Sequence, residues 1–185
     1  MIMQGASEFV VTGTMGGCGS FFDGEAGPAA AFERLAALQD ADVKILTPTW
    51  NGKDALASGH NTGDGLSRFG REVVSLLEER RIAVDASRLN NKGFDELVRL
   101  ARPFAASRPN LRSVCGHRRN LTDDRFRAIC DAEGIVGMNF CRGFLREDSA
   151  DPTRDDAGQR LRRMRCSPVA RSHRKGGSAA WAVRL

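Results

Sequence analysis

Residues 69–107 read FGREVVSLLEERRIAVDASRLNNKGFDELVRLARPFAAS, and the fold is decided in this stretch. Phe69, Val73, Leu76 and Leu77 recur at helical spacing, and the pattern ends in the basic pair Arg80-Arg81. Ile82 to Ala86 is a short apolar run of strand type. Asn90 or Asn91 is suited to cap a second helix, whose inner face carries Phe94, Leu97, Val98 and Ala101 at i, i+3, i+4 and i+7. Phe104 to Ser107, after Pro103, is the next short strand. Helices alternating with short strands predict a parallel sheet of the α/β class. The strands are too apolar to leave one face wet, so helices must cover them.

The same alternation continues in both directions. Phe9-Val10-Val11 has strand character, and Pro28 opens a helix with Phe32, Leu35, Ala36 and Leu38 on one face. Val43 to Leu46 is a buried strand, and a Gly-rich loop runs from Trp50 to Gly65. Thr122 caps a further helix, Asp123 and Asp124 face its positive end, and Phe126, Ile129 and Cys130 form its inner side. Ile135 to Phe140 is the last strand. About five strands result, with a helix after each of the first four. An open doubly wound sheet and part of a (β/α)8 barrel both fit, and a whole barrel takes about 250 residues. Residues 1–156 form one domain on this reading. Residues 157–185 keep no period and are expected to be a disordered or irregular tail. Their Arg, Ala, Gly and Ser content is also what a shifted frame of a GC-rich gene produces, and an intact frame ending at Leu185 would contradict that origin.

The net charge of +5 hides an asymmetry. Residues 157–185 hold eight Lys or Arg and no Asp or Glu, which leaves 20 basic against 23 acidic residues in the body. The body is mildly acidic and the tail strongly basic. Such a tail can attract nucleic acid, but only Trp181 is there to stack on bases, so nucleic acid is not the expected partner. The five cysteines show no CxxC pair and imply no disulfide framework, Cys130 being expected as a small buried apolar side chain. With no signal-peptide pattern, no apolar run of membrane-spanning length and no anchor signal, the expected location is the cytoplasm.

Several segments resemble the membrane dipeptidase (renal-type zinc dipeptidase) family. Leu46 to Asn51 reads LTPTWN and is followed by ALASG at Ala55 to Gly59. Gly65 to Val74 reads GLSRFGREVV, Val84 to Leu89 VDASRL, and Pro103 to Asn110 PFAASRPN. His117 to Asp123 reads HRRNLTD, and Gly134 to Phe140 reads GIVGMNF. They follow the family's order over residues 43 to 150. The resemblance implies a (β/α)8 barrel with its site at the C-terminal strand ends. It also implies an incomplete barrel here, because the family's H-x-D metal pair and its GSDFDG-like last strand have no counterpart. Open barrel edges would then invite self-association.

Family members cleave dipeptides with two zinc ions bridged by a Glu and a hydroxide. Where they carry the two zinc histidines, this chain has Arg88 and Arg108, and Met15 stands at the bridging Glu. Guanidinium has no lone pair to give, and a thioether is a poor zinc ligand. Glu25 is a nearby displaced acid, and His60 or His117 could serve one weak metal site. The expectation is no zinc pair, no other cofactor and weak or absent hydrolysis. Arg119 matches the Arg that grips the substrate carboxylate, a role its fork suits, against the alternative of a surface Arg. Trp50 lines the substrate pocket or packs in the core, and Asp85 is a supporting or strand-capping group. The implied ligand is a dipeptide or small carboxylate. With Arg88, Arg108 and Arg119 at one mouth, binding of a carboxylate or phosphate without cleavage is the alternative to hydrolysis.

Overall fold

The computed structural model describes residues 13–22, 27–101 and 103–145. The Phe9–Val11 segment, Glu25, the tail 157–185 and the side chain of Phe32 lie outside the described residues. Nine elements alternate: β1 (Gly13–Met15), α1 (Gly27–Asp40), β2 (Val43–Leu46), α2 (Arg68–Glu79), β3 (Ala83–Asp85), α3 (Asn91–Leu100), β4 (Phe104–Ala106), α4 (Asp123–Asp131) and β5 (Ile135–Val136). The five strands form one parallel sheet in the order β1-β2-β3-β4-β5.

That order decides between the two architectures left open by periodicity. A doubly wound sheet reverses its strand order at a switch point and places helices on both faces. Here every strand lies beside its predecessor without reversal. Each helix also packs against the next, α1 on α2, α2 on α3 and α3 on α4, as an outer ring does.

The helices form where local chemistry supports them. Ser67 caps α2, its Oγ accepting from Gly70 N at 2.8 Å while donating to Ala55 O at 2.6 Å. Asn90, rather than Asn91, caps α3, accepting from Gly93 N at 2.8 Å and donating to Thr62 O and Asp64 O. One side chain therefore both starts a helix and holds the Gly-rich loop. Thr122 caps α4 as expected, with Asp123 and Asp124 in its first turn. The apolar faces meet the sheet through Leu35, Val73, Leu77, Phe94, Leu97 and Ile129, all buried. Phe94 of α3 meets Phe104 of β4 edge to face at 5.8 Å.

Two glycines mark close approaches. A Cβ on Gly70 would sit 1.8 Å from Leu56 O, so α2 could not lie against the loop with any larger residue. A Cβ on Gly137 would sit 2.1 Å from Ser107 O, where the chain leaving β5 crosses the end of β4. The strand expected over residues 135–140 is shorter than its apolar run. After Gly137, whose N still donates to Ala106 O at 2.8 Å, the backbone is held by a side chain instead of a ladder: Asn110 accepts from Asn139 N at 3.1 Å and donates to Asn139 O at 2.9 Å. Cys130, expected as a small buried apolar side chain, is half-buried against the core and disulfide-bonded. No helix among the described residues is long and apolar enough to cross a membrane.

Candidate functional site

The tripeptide Ala-Ser-Arg ends two neighbouring strands, as residues 86–88 after β3 and 106–108 at β4. Parallel pairing places both copies at the same edge of the sheet. Asp85, 2% exposed, sits between them. Its Oδ1 accepts from Ser87 N at 2.9 Å, Ser87 Oγ at 2.5 Å and Ser107 N at 3.0 Å. Its Oδ2 accepts from Ser107 Oγ at 2.5 Å and Thr47 Oγ1 at 3.1 Å. One buried carboxylate thus joins the C-terminal ends of β2, β3 and β4. It is both a supporting group and a strand-end cap, two roles the sequence left unseparated. Ser87, Ser107 and Thr47 were not singled out in the sequence, although the repeated Ala-Ser-Arg is the signal that marks them.

Residues 86–88 form a 3-10 turn that organises three arginines. Arg88 leaves the turn itself. Its guanidinium carbon lies 3.6 Å from the centre of a Trp50 ring, and Nη1 donates to Asn51 Oδ1 at 2.6 Å. Arg108 N donates to Ser87 Oγ at 2.9 Å, and its guanidinium extends over the strand ends towards Gly16. Arg119 comes from the loop after β4, and its Nη1 donates to Ser87 O. Arg119 is only 4% exposed, so it is not the surface residue that a basic loop suggested. Trp50, at 49% exposure, is a wall of the mouth and not part of the core.

A cavity of about 270 Å³ opens at these strand ends, lined in part by Met15, Thr47, Trp50, Asp85, Ser107 and Arg108. The structure therefore gathers Met15, Trp50, Asp85, Arg88, Arg108 and Arg119 at one end of the sheet. His60 and His117 join the rim beside them, their rings 6.4 Å apart, a meeting that their separation of 57 positions in the sequence conceals.

The electrostatics follow from crowding cations in a partly buried space. Burial, reinforced by Arg88 and Arg108, pushes Arg119 down to about 10. Burial lowers Arg88 too, with Arg108 adding to it. His60 is pushed down to about 4, by burial first and then by Arg119, Arg118 and Arg88. His117 moves the same way for the same reasons. Both rings are held neutral. Arg119 Nε and Nη2, Arg88 Nε and His60 Nδ1 are buried without a hydrogen-bond partner among the described residues. Leaving a buried donor unpaired costs about 1–3 kcal/mol, and more for a charged one.

These groups do not suit a divalent metal. Among the described residues no three of His, Cys, Asp and Glu come together in a group that could hold one. The cation lining the cavity is the Arg108 guanidinium, the hydroxyls of Thr47 and Ser107 already donate to Asp85, and that carboxylate accepts five hydrogen bonds. The mouth is cationic, with Arg88, Arg108 and Arg119 within electrostatic reach of one another.

Comparison with known proteins places this arrangement in a lineage. The profile of the membrane dipeptidases (peptidase family M19) matches residues 22–167. An uncharacterized Klebsiella pneumoniae protein from the pqqA 5′ region is 35% identical over 136 residues, covering 69% of this chain and 48% of its own length. An uncharacterized dipeptidase of Schizosaccharomyces pombe is 26% identical over 125 residues, covering 67% of this chain and 30% of its own. Among solved structures, a metallopeptidase from Rhodobacter sphaeroides, crystallised with a phosphinate mimic of the dipeptide L-Ala-D-Ala, superposes with a TM-score of 0.71 at 31% identity. The superposition covers 82% of this chain and 44% of that one. The chain spans about half the length of the curated relatives it matches or less. Sequential parallel strands, strand-end segments in family order and a profile running over most of the sequence lead to one assignment: the chain belongs to the membrane dipeptidase family, peptidase family M19.

Proposed function

We propose that this chain is a dipeptidase-like hydrolase in descent and fold whose mouth has exchanged metal chemistry for binding of anions by arginine, so that it hydrolyses dipeptides weakly or not at all. One observation carries the reading. The strand-end positions that match the family's zinc histidines hold Arg88 and Arg108, and both guanidinia lie at the mouth, one against Trp50 and the other lining the cavity. A protonated guanidinium can neither ligate zinc nor deprotonate water, and it repels a cation brought beside it.

The chain keeps Arg119 within HRRNLTD, facing the same mouth. In this reading Arg119 receives the carboxylate of a dipeptide or other small acid through its fork, and Trp50 forms the wall beside it. The family's bound zinc would supply Lewis-acid activation of water and of the peptide carbonyl. Met15, Arg88 and Arg108 do not fit that metal, and no step is assigned to it here.

The test is turnover. Purified full-length protein is incubated with zinc and a panel of dipeptides, and release of free amino acid is followed. The expected result is no release above the zinc-only blank. Sustained zinc-dependent release, lost in Arg119→Ala, would show that other groups have taken over metal binding and would overturn the proposal.

A further inference from the structure

We infer that the Arg88–Arg108–Arg119 mouth is a site for a tetrahedral dianion, a phosphoryl group, seated among the three guanidinia above the Ala86–Arg88 turn. The inference rests on the reading that this mouth carries no zinc pair, and it names the ligand class the mouth takes in its place.

The geometry is built around one turn. Ser87 O receives Arg119 Nη1, Ser87 Oγ receives Arg108 N at 2.9 Å, and Arg88 O receives His60 N at 3.1 Å. The three arginines are thus held to one short segment and not brought together by flexible side chains alone. Arg119 is more than nine-tenths buried, and two of its three guanidinium nitrogens, Nε and Nη2, are unpaired. Arg88 Nε is buried and unpaired as well. The guanidinium of Arg108 donates to no described residue and lines the cavity at the strand ends. Donors with no partner among the described residues therefore come from the two loops after β3 and β4 and lie within electrostatic reach of one another.

Charge selects a dianion over a single carboxylate. The three guanidinia share this space with the Asp85 carboxylate, which leaves a net charge of 3 − 1 = +2. Asp85, the carboxylate that lines the cavity, opposes an anion. Both its oxygens already accept from Ser87, Ser107 and Thr47, and its charge is included in that surplus. His60 and His117 are neutral on the rim and add no positive charge, while His60 Nδ1 is buried and free to pair. A monocarboxylate would neutralise one cation of the surplus and reach two donors. A phosphoryl group brings two charges and three oxygens, one for each guanidinium.

The experiment is titration calorimetry on the full chain at constant ionic strength and pH 7.5. The probes are inorganic phosphate, glycerol phosphate, acetate and alanyl-alanine, and zinc content is measured on the same preparation. Saturable heat with inorganic phosphate or glycerol phosphate is expected, with acetate and alanyl-alanine weaker by roughly tenfold or more. Stronger binding of glycerol phosphate would identify the ligand as a phosphoryl group on an organic molecule, and stronger binding of inorganic phosphate as the free ion. The exposed Arg108→Gln should weaken phosphate binding by roughly tenfold without loss of fold, so a failed Arg119 variant cannot obscure the result. Phosphate heat that is flat, or unchanged in R108Q, overturns the inference while leaving a zinc-free mouth standing. Alanyl-alanine binding without phosphate binding does the same and favours a carboxylate site. Bound zinc with dipeptide turnover overturns the reading beneath it.

Discussion

Asp85 is the side chain on which the site's geometry depends. Replacing it with Ala removes the acceptor for five donors from Ser87, Ser107 and Thr47. We expect Asp85→Ala to cost about 3 kcal/mol in urea unfolding, because buried donors then go unpaired. Asp85→Asn should cost nearly as much, since its NH2 would face donors. A loss below about 0.5 kcal/mol, the range of ordinary surface changes, would mean that the strand ends are held by other contacts. His60 gives a second prediction at this scale. Its folded pKa of about 4 lies below the ordinary 6.5. Between those values the unfolded chain binds more protons, so stability is complete above pH 6.5 and declines as pH falls towards 4. The ring is partly solvated, so the loss is on the order of 1 kcal/mol after screening. Urea midpoints at pH 7.5 and pH 4.5 should differ less in His60→Gln than in the parent chain. The sequence showed the arginines at the right positions. It could not show that Arg119 is buried or that two histidines so far apart in the chain meet, because those facts arise from loops folding over the strand ends.

At the scale of elements, the four helices and strands β2 to β4 were legible because their signals are local, whereas β1 at Gly13–Met15 was not singled out in the sequence. Val43–Leu46 has the expected bounds, although Lys44 within it is exposed, and the expected Asn90 and Thr122 caps bond their own first turns. Strand five was overread, because Ile135 to Phe140 is uniformly apolar apart from Asn139, and that Asn takes the backbone out of the ladder through Asn110. Tertiary hydrogen bonding of this kind leaves no periodic trace. Two substitutions test the element level. Ser67→Ala should cost about 1–2 kcal/mol, since it removes a cap and the tie to Ala55 O together. Gly70→Ala should cost about 1–3 kcal/mol, since a Cβ there meets Leu56 O at 1.8 Å and only a shift of α2 or the loop relieves it. Thermal unfolding monitored by circular dichroism reads both, and an unchanged G70A midpoint would show that the loop yields freely.

For the whole molecule, sequential strand order identifies the barrel-type winding that periodicity left open. The described sheet ends in β1 on one side and β5 on the other, and near β5 Ile135 is 37% and Phe140 70% exposed. Such edges favour pairing between copies. We propose concentration-dependent self-association, read by sedimentation velocity and reduced in Phe140→Lys; a monomer across the concentration range would contradict it. Charge at the mouth, rather than the basic tail, is the molecular feature that the functional account uses. Under the proposed function, Met15, Arg88 and Arg108 leave no place for the family's zinc pair. The most direct measurement is zinc bound per chain, by mass spectrometry of full-length protein dialysed against a slight excess of zinc. The account predicts well under about one zinc ion per chain, unchanged in Arg119→Ala, because guanidinium and thioether groups do not hold the ion. A stoichiometry near two, stable to dialysis, would contradict it and would mean that residues other than these have assumed the ligand positions.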